Sequence, residues 1–76
     1  MTKYQNYIER NPEIMLGKPI IKGTRITVEL LMRKLAGGYN MEQLIAAYPQ
    51  LSLPQIQAVF EFAAELIANE EINEAA

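Results

Sequence analysis

Three segments in the second half of the chain carry apolar residues at the three- or four-residue spacing of an α-helix. The first covers residues 28–36, where Thr27 is placed to act as the N-cap and Gly37-Gly38 ends the pattern. Its apolar positions are Val28, Leu31, Met32 and Leu35. This spacing predicts an amphipathic helix with one face directed to a core.

A second helix is predicted from Asn40 to about Tyr48. Asn40 and Gln43 have the three-residue separation of a capping box, in which each side chain bonds the other residue's backbone N–H. Pro49 follows directly and disfavours helical backbone at the residue before it. The second helix is therefore short.

The third helix is predicted to begin after Ser52, which has a capping-box partner in Gln55, and to run to about Asn69 or beyond. Its apolar positions cover about half of the helix circumference: Leu53, Ile56, Val59, Phe60, Phe62, Ala63, Leu66 and Ile67. Such a helix is either buried centrally in its own domain or packs its core on one flank and a partner on the other. We favour the second interpretation and expect a homodimer, with Val59, Phe62 and Leu66 at the interface.

Residues 1–27 differ in pattern, because turn residues interrupt every candidate helix in them. Residues 19–21 and 25–28 are apolar and β-branched, and they flank Lys22-Gly23-Thr24, where Gly23 can supply a positive φ. A short hairpin is predicted there. The expected fold is mainly α, with three helices following a short N-terminal β-hairpin, in a single domain spanning residues 1–76.

The composition limits the chemistry that this chain can perform. The 76 residues include no Cys, His or Asp, and Ser52 is the only serine. The usual general base near neutral pH, the usual thiol nucleophile and most metal-binding sets are therefore missing. We expect a protein that is not an enzyme and has no cofactor, metal or small-molecule substrate. The absence of Cys and of a long apolar run favours a cytoplasmic protein without a membrane span.

Charge is divided unevenly along the sequence. All seven basic residues lie in the first 34 positions, whereas residues 41–76 contain six Glu and no base. This asymmetry indicates that the front of the chain contacts an anionic partner. We expect the acidic end to contact a basic protein surface, although simple solvation is the alternative. The residues predicted for that contact are Glu70, Glu71 and Glu74.

A basic stretch over residues 17–26 is the candidate for DNA binding. Lys18, Lys22 and Arg25 lie within eight residues, beside turn positions Gly23 and Thr24 that expose backbone N–H groups. These five residues are predicted to contact phosphates. The alternative is that Gly23 and Thr24 only shape a turn and that Arg25 bonds within its own fold.

The second and third helices have the outline of a helix-turn-helix, with the third helix in the recognition position. That helix carries Gln55 and Gln57 near its start, and glutamine can read adenine. It also carries Glu61 and Glu65 and no basic residue, and carboxylates repel phosphate. Direct reading of the major groove by this helix is therefore disfavoured.

The motif G-K-P-x-I-x-G-T-R-I over residues 17–26, with Pro12-Glu13-Ile14, Leu35-Ala36-Gly37-Gly38 and Tyr48-Pro49-Gln50-Leu51, resembles domain-of-unknown-function family 433. The resemblance covers almost the whole chain. It implies a homeodomain-like, winged-helix-related three-helix fold after a short β element. The sequence departs from the common pattern at Leu16, where a second glycine often precedes Gly17.

Relatives in this family commonly look like antitoxins encoded beside a PIN-like ribonuclease toxin. The resemblance therefore implies an antitoxin-like protein that binds a cognate PIN-like toxin and, as a dimer, its own operator DNA. Two alternatives remain at this stage. One is a stand-alone DNA-binding transcriptional regulator without a toxin, and the other is a structural oligomerisation module.

Overall fold

The computed structural model describes the backbone of residues 3–75 and the side chains of residues 3–69. Three helices follow a short antiparallel pair of strands, which confirms the predicted fold class. In chain order the elements are a 3-10 turn at Tyr4–Asn6, β1 (Ile8–Glu9), a 3-10 turn at Met15–Gly17, β2 (Ile20–Ile21), α1 (Val28–Ala36), α2 (Met41–Ala47) and α3 (Leu53–Ala75).

The helices begin where their capping residues predict. The Thr27 hydroxyl accepts a hydrogen bond from the Leu30 N–H at 3.0 Å, and Asn40 and Gln43 form both bonds of a capping box at 2.8 Å each. At α3, the Gln55 side chain accepts from the Ser52 N–H at 2.7 Å, which is one half of the predicted box. These bonds satisfy backbone donors that a helix start otherwise leaves without a partner.

The strand pairing differs from the prediction. β2 pairs with β1, in the register Ile8 with Ile21 and Glu9 with Ile20, whereas residues 25–28 contribute only a single bridge from Thr27 to Ile20. The reason is that Thr27 is already the N-cap of α1, so the chain turns into a helix after one ladder position. The predicted turn does form, and Gly23 adopts a φ of +79°.

The core lies between the hairpin and the three helices. Its fully buried large side chains are Ile20, Ile21, Leu31, Leu44, Ile56 and Val59. Val59, which we predicted at a partner interface, is only 1% exposed and packs inside the domain, so that assignment is wrong. Among the described side chains, Val59 is also the last buried one on α3. The 16 residues from there to Ala75 extend about 24 Å along the helix axis.

The N-terminal turn packs against the middle of α3. Tyr4 meets Phe62 edge to face, with ring centroids 5.4 Å apart, and the Arg10 guanidinium lies 5.8 Å from the Phe62 ring centroid. The nearby Glu65 carboxylate, an acceptor for the Tyr4 hydroxyl, raises the pKa of Tyr4 above its usual value. Phe62, which we predicted at a partner interface, is therefore half-buried against its own N-terminus.

Candidate functional site

A groove of about 260 Å³ opens between the turn at Met15–Gly17, the loop before α1 and the first turns of α1. We call it the basic groove. Its lining residues are Met15, Lys18, Arg25, Thr27, Glu29, Leu30 and Arg33. Three cations, one carboxylate and two large apolar side chains thus share one concave surface.

Glu29 organises two of the three cations. Its carboxylate bonds the Lys18 ammonium at 3.0 Å and the Arg33 guanidinium at 3.1 Å. Both bonds lower the pKa of the Glu29 carboxyl, and the bond from Lys18 has the larger effect. Arg25 has no ion-pair partner among the described side chains, so its charge is available to a ligand. Arg33 was not among the predicted site residues, although its i,i+4 spacing from Glu29 is a recognisable signal.

The predicted phosphate-binding residues divide into two groups. Lys18 and Arg25 line the basic groove, whereas Lys22 is exposed on the turn after β2 and is not part of the lining. The Thr24 hydroxyl donates to the Ile21 carbonyl at 2.8 Å and accepts from the Ile26 N–H at 3.0 Å. Thr24 therefore stabilises the turn, and its contact with phosphate stays a prediction.

One wall of the groove has a strained backbone. Met15, Leu16 and Gly17 have φ values of 50°, 59° and 78°, a left-handed region that costs an ordinary residue roughly 1–2 kcal/mol. Two bonds support this turn, from the Gly17 N–H to the Ile14 carbonyl and from the Lys18 N–H to the Met15 carbonyl, each at 3.1 Å. The turn places Met15 in the groove and leaves the Leu16 side chain 92% exposed.

Replacing Leu16 with glycine should stabilise the fold. Glycine adopts the left-handed region without steric cost, and the exposed leucine has little packing to lose. After allowing for the greater entropy of glycine in the unfolded chain, the free energy of unfolding should rise by about 0.5–1 kcal/mol. Chemical denaturation measures the change. Ala64→Gly on exposed α3 is the control and should lower stability by about as much; a loss for Leu16→Gly would contradict the strain.

The distal half of α3, residues 63–75, forms a second candidate surface. Leu66 and Ile67 are 46% and 55% exposed, so the predicted interface residue Leu66 does lie at the surface. Glu65 directly precedes them, and its carboxylate raises the pKa of the Tyr4 hydroxyl. The predicted partner contacts Glu70, Glu71 and Glu74 lie outside the residues whose side chains are described. This helix end combines apolar surface with an acidic sequence.

The start of α3 offers little for reading DNA bases. The Gln55 side chain oxygen is occupied by the cap at Ser52, which leaves Gln57 as the exposed glutamine of the first turns. Glu61 is half-buried, with one carboxylate oxygen inaccessible and without a hydrogen-bond partner among the described residues. That α3 does not lie with this face against phosphate stays a prediction.

Comparison with known proteins identifies the family of this chain. A family model described as "Protein of unknown function (DUF433)" matches residues 8–63. A crystal structure of a DUF433 member protein from Anabaena variabilis is similar with a TM-score of 0.79 and 26% identity, covering 95% of this chain and 71% of that one. An uncharacterised protein, y4eO, from Sinorhizobium fredii is 30% identical over 50 residues, 66% of this chain. The matched part spans only 23% of that relative's length.

No helix in the described part of the chain combines the length and the apolarity needed to span a bilayer.

Proposed function

The chain belongs to the DUF433 family of proteins of unknown function, and from that premise we propose that it is a non-enzymatic, antitoxin-like binding module. Its distal half of α3 binds a PIN-like ribonuclease toxin, and its N-terminal cations bind operator DNA. The observation that carries the proposal is the apolar surface of α3 beyond the core, centred on Leu66 and Ile67.

That surface suits a protein partner better than solvent. Fully burying a leucine or isoleucine side chain contributes roughly 1.5–3 kcal/mol, so two such residues supply a useful part of a binding free energy. Both residues lie beyond Val59, the last buried side chain described on α3, and they remain exposed to solvent. Helices with adjacent exposed apolar residues commonly bind in an apolar groove of a partner protein.

The charge of the same segment indicates what kind of surface it meets. Residues 63–76 contain four Glu and no basic residue. Such a segment is attracted to a basic surface, and the binding groove of a ribonuclease needs cationic groups because its substrate is a polyanion. A helix that presents carboxylates there competes with the phosphates of RNA. Neutralisation of a toxin follows from occupancy of this groove, without any catalytic group in the antitoxin.

Co-expression tests the toxin proposal. Any small PIN-like ribonuclease that the genome encodes beside this gene is produced alone and together with this protein in the same host. We expect growth arrest when it is produced alone, growth when both are produced, and co-purification of the two chains. Growth arrest that persists in the presence of this protein, without a complex, would contradict the proposal.

DNA binding is the second part of the proposal, and the observation that favours it is the exposed pair of cations Lys22 and Arg25 near the turn at Gly23. Lys22→Ala and Arg25→Ala should each reduce the log–log salt slope of DNA binding by about one unit. Lys18→Ala should change the slope less, because the Lys18 ammonium is already paired with the Glu29 carboxylate.

Fluorescence anisotropy with operator DNA at several salt concentrations measures these slopes. Gln57→Ala is the control, since it removes an exposed polar side chain from α3 without changing charge. Should Gln57→Ala abolish binding while Lys22→Ala and Arg25→Ala keep the original slope, α3 is the reading element and the cations are not. If DNA binding follows the cations but no toxin complex forms, the stand-alone regulator replaces the antitoxin.

A further inference from the structure

We propose that the basic groove is the docking site for the distal half of α3 from a second copy of this chain. The two surfaces are complementary in charge and in apolar character, and each chain carries both. The proposal concerns the protein in the absence of toxin and does not depend on the ribonuclease.

The groove is available to another chain. Its lining residues all come from positions 15–33, so no α3 residue of the described chain contributes to it. Met15 and Leu30 remain 41% and 37% exposed, which means that apolar surface in the groove is still in contact with water. An occupant with aliphatic side chains would remove that surface from water.

The occupant of the basic groove must carry both apolar side chains and carboxylates, because the groove combines apolar side chains with cations. In the distal half of α3, Leu66 and Ile67 supply the aliphatic side chains. The sequence around them is acidic, with Glu65 before them and Glu70 and Glu71 after them, and no base follows Lys34. Arg25 is the groove cation that lacks an internal carboxylate partner among the described side chains. Charge complementarity thus identifies the helix end as the ligand.

The shape of the molecule allows this docking to be reciprocal. The distal helix extends about 24 Å past the last buried residue, and the molecule is elongated, 42 × 30 × 25 Å. When α3 of one copy reaches the basic groove of a second copy, α3 of that second copy can bind in the groove of the first. The result is a two-fold symmetric dimer with two identical contacts. DNA would compete for Arg25 and a toxin for the distal helix, so either ligand opens this dimer.

Reversal of charge on each surface tests the contact. The groove variant is Arg25→Glu with Arg33→Glu, and the tail variant is Glu70→Lys with Glu71→Lys. Each variant alone places like charges opposite each other and should be monomeric by light scattering at tens of micromolar, where the wild type is a dimer. An equimolar mixture of the two variants should recover the dimer mass, because both contacts then join opposite charges.

The control is Lys22→Glu with Lys34→Glu, which makes the same change of net charge outside the groove and should leave the dimer intact. Circular dichroism shows that each variant retains its helices, and recovery in the mixture is a readout that a misfolded variant cannot give. A monomeric wild type would overturn the proposal. So would a dimer that survives in both single-surface variants, or a mixture of folded variants that stays monomeric.

Discussion

Leu66→Glu should weaken binding of a PIN-like ribonuclease by about 100-fold or more. The substitution removes an apolar side chain from the exposed surface of α3 and would bury a carboxylate in its place. Loss of the leucine contributes roughly 2 kcal/mol, and burial of the new charge adds a further cost. Since every 1.4 kcal/mol changes a dissociation constant about tenfold, the two effects together give this change. Isothermal titration calorimetry measures it.

Leu53→Glu is a closely matched control for this experiment. Leu53 is 48% exposed and Leu66 is 46% exposed, and both lie on α3 at opposite sides of its buried segment. The same substitution at Leu53 should leave the dissociation constant unchanged. Equal losses at both positions would mean that the effect is not specific to the distal surface of α3. No loss at Leu66 would remove the distal half of α3 from the interface.

Ile56→Ala should lower the free energy of unfolding by about 3–4 kcal/mol. Ile56 is fully buried where α3 packs on the rest of the core, and truncation leaves a cavity that a small domain fills only partly. In a domain of this size each 1 kcal/mol changes Tm by about 4–8 °C, so Tm should fall by about 12–32 °C. Thermal unfolding followed by circular dichroism measures the change.

The control for that stability measurement is Leu53→Ala, which shortens an exposed side chain on the same helix. Its effect should stay below about 1 kcal/mol. A loss of less than about 1 kcal/mol for Ile56→Ala would contradict the assignment of α3 to the core. Both variants are best compared in the absence of any partner, because a bound ligand raises apparent stability.

The helices were predictable because their signals are local. Thr27 and Asn40 lie within four residues of the backbone groups that they cap, and Gly37-Gly38 ends α1 where the apolar pattern stops. Caps of this kind depend on neighbours in sequence and so can be read from the chain directly. The turn at Gly23 has the same local origin.

The strand pairing and the core side of α3 depended on distant residues and could not be read in this way. β1 is two residues long and is defined only by pairing with β2, twelve residues further along. The apolar positions of α3 cover half its circumference, so the pattern did not distinguish Val59, which is buried, from Leu66, which is exposed. The basic groove likewise requires α1 and the Met15–Gly17 turn to meet in space.

Hydrogen–deuterium exchange of the groove variant Arg25→Glu with Arg33→Glu, in which the proposed contact between copies is absent, tests the central claim most directly when it is measured with and without a PIN-like ribonuclease. We expect slower exchange on binding in the backbone amides of residues 63–75, with little change in residues 15–33. Protection confined to residues 15–33, or an unchanged distal half of α3 in a formed complex, would contradict the claim that this helix end is the partner-binding surface.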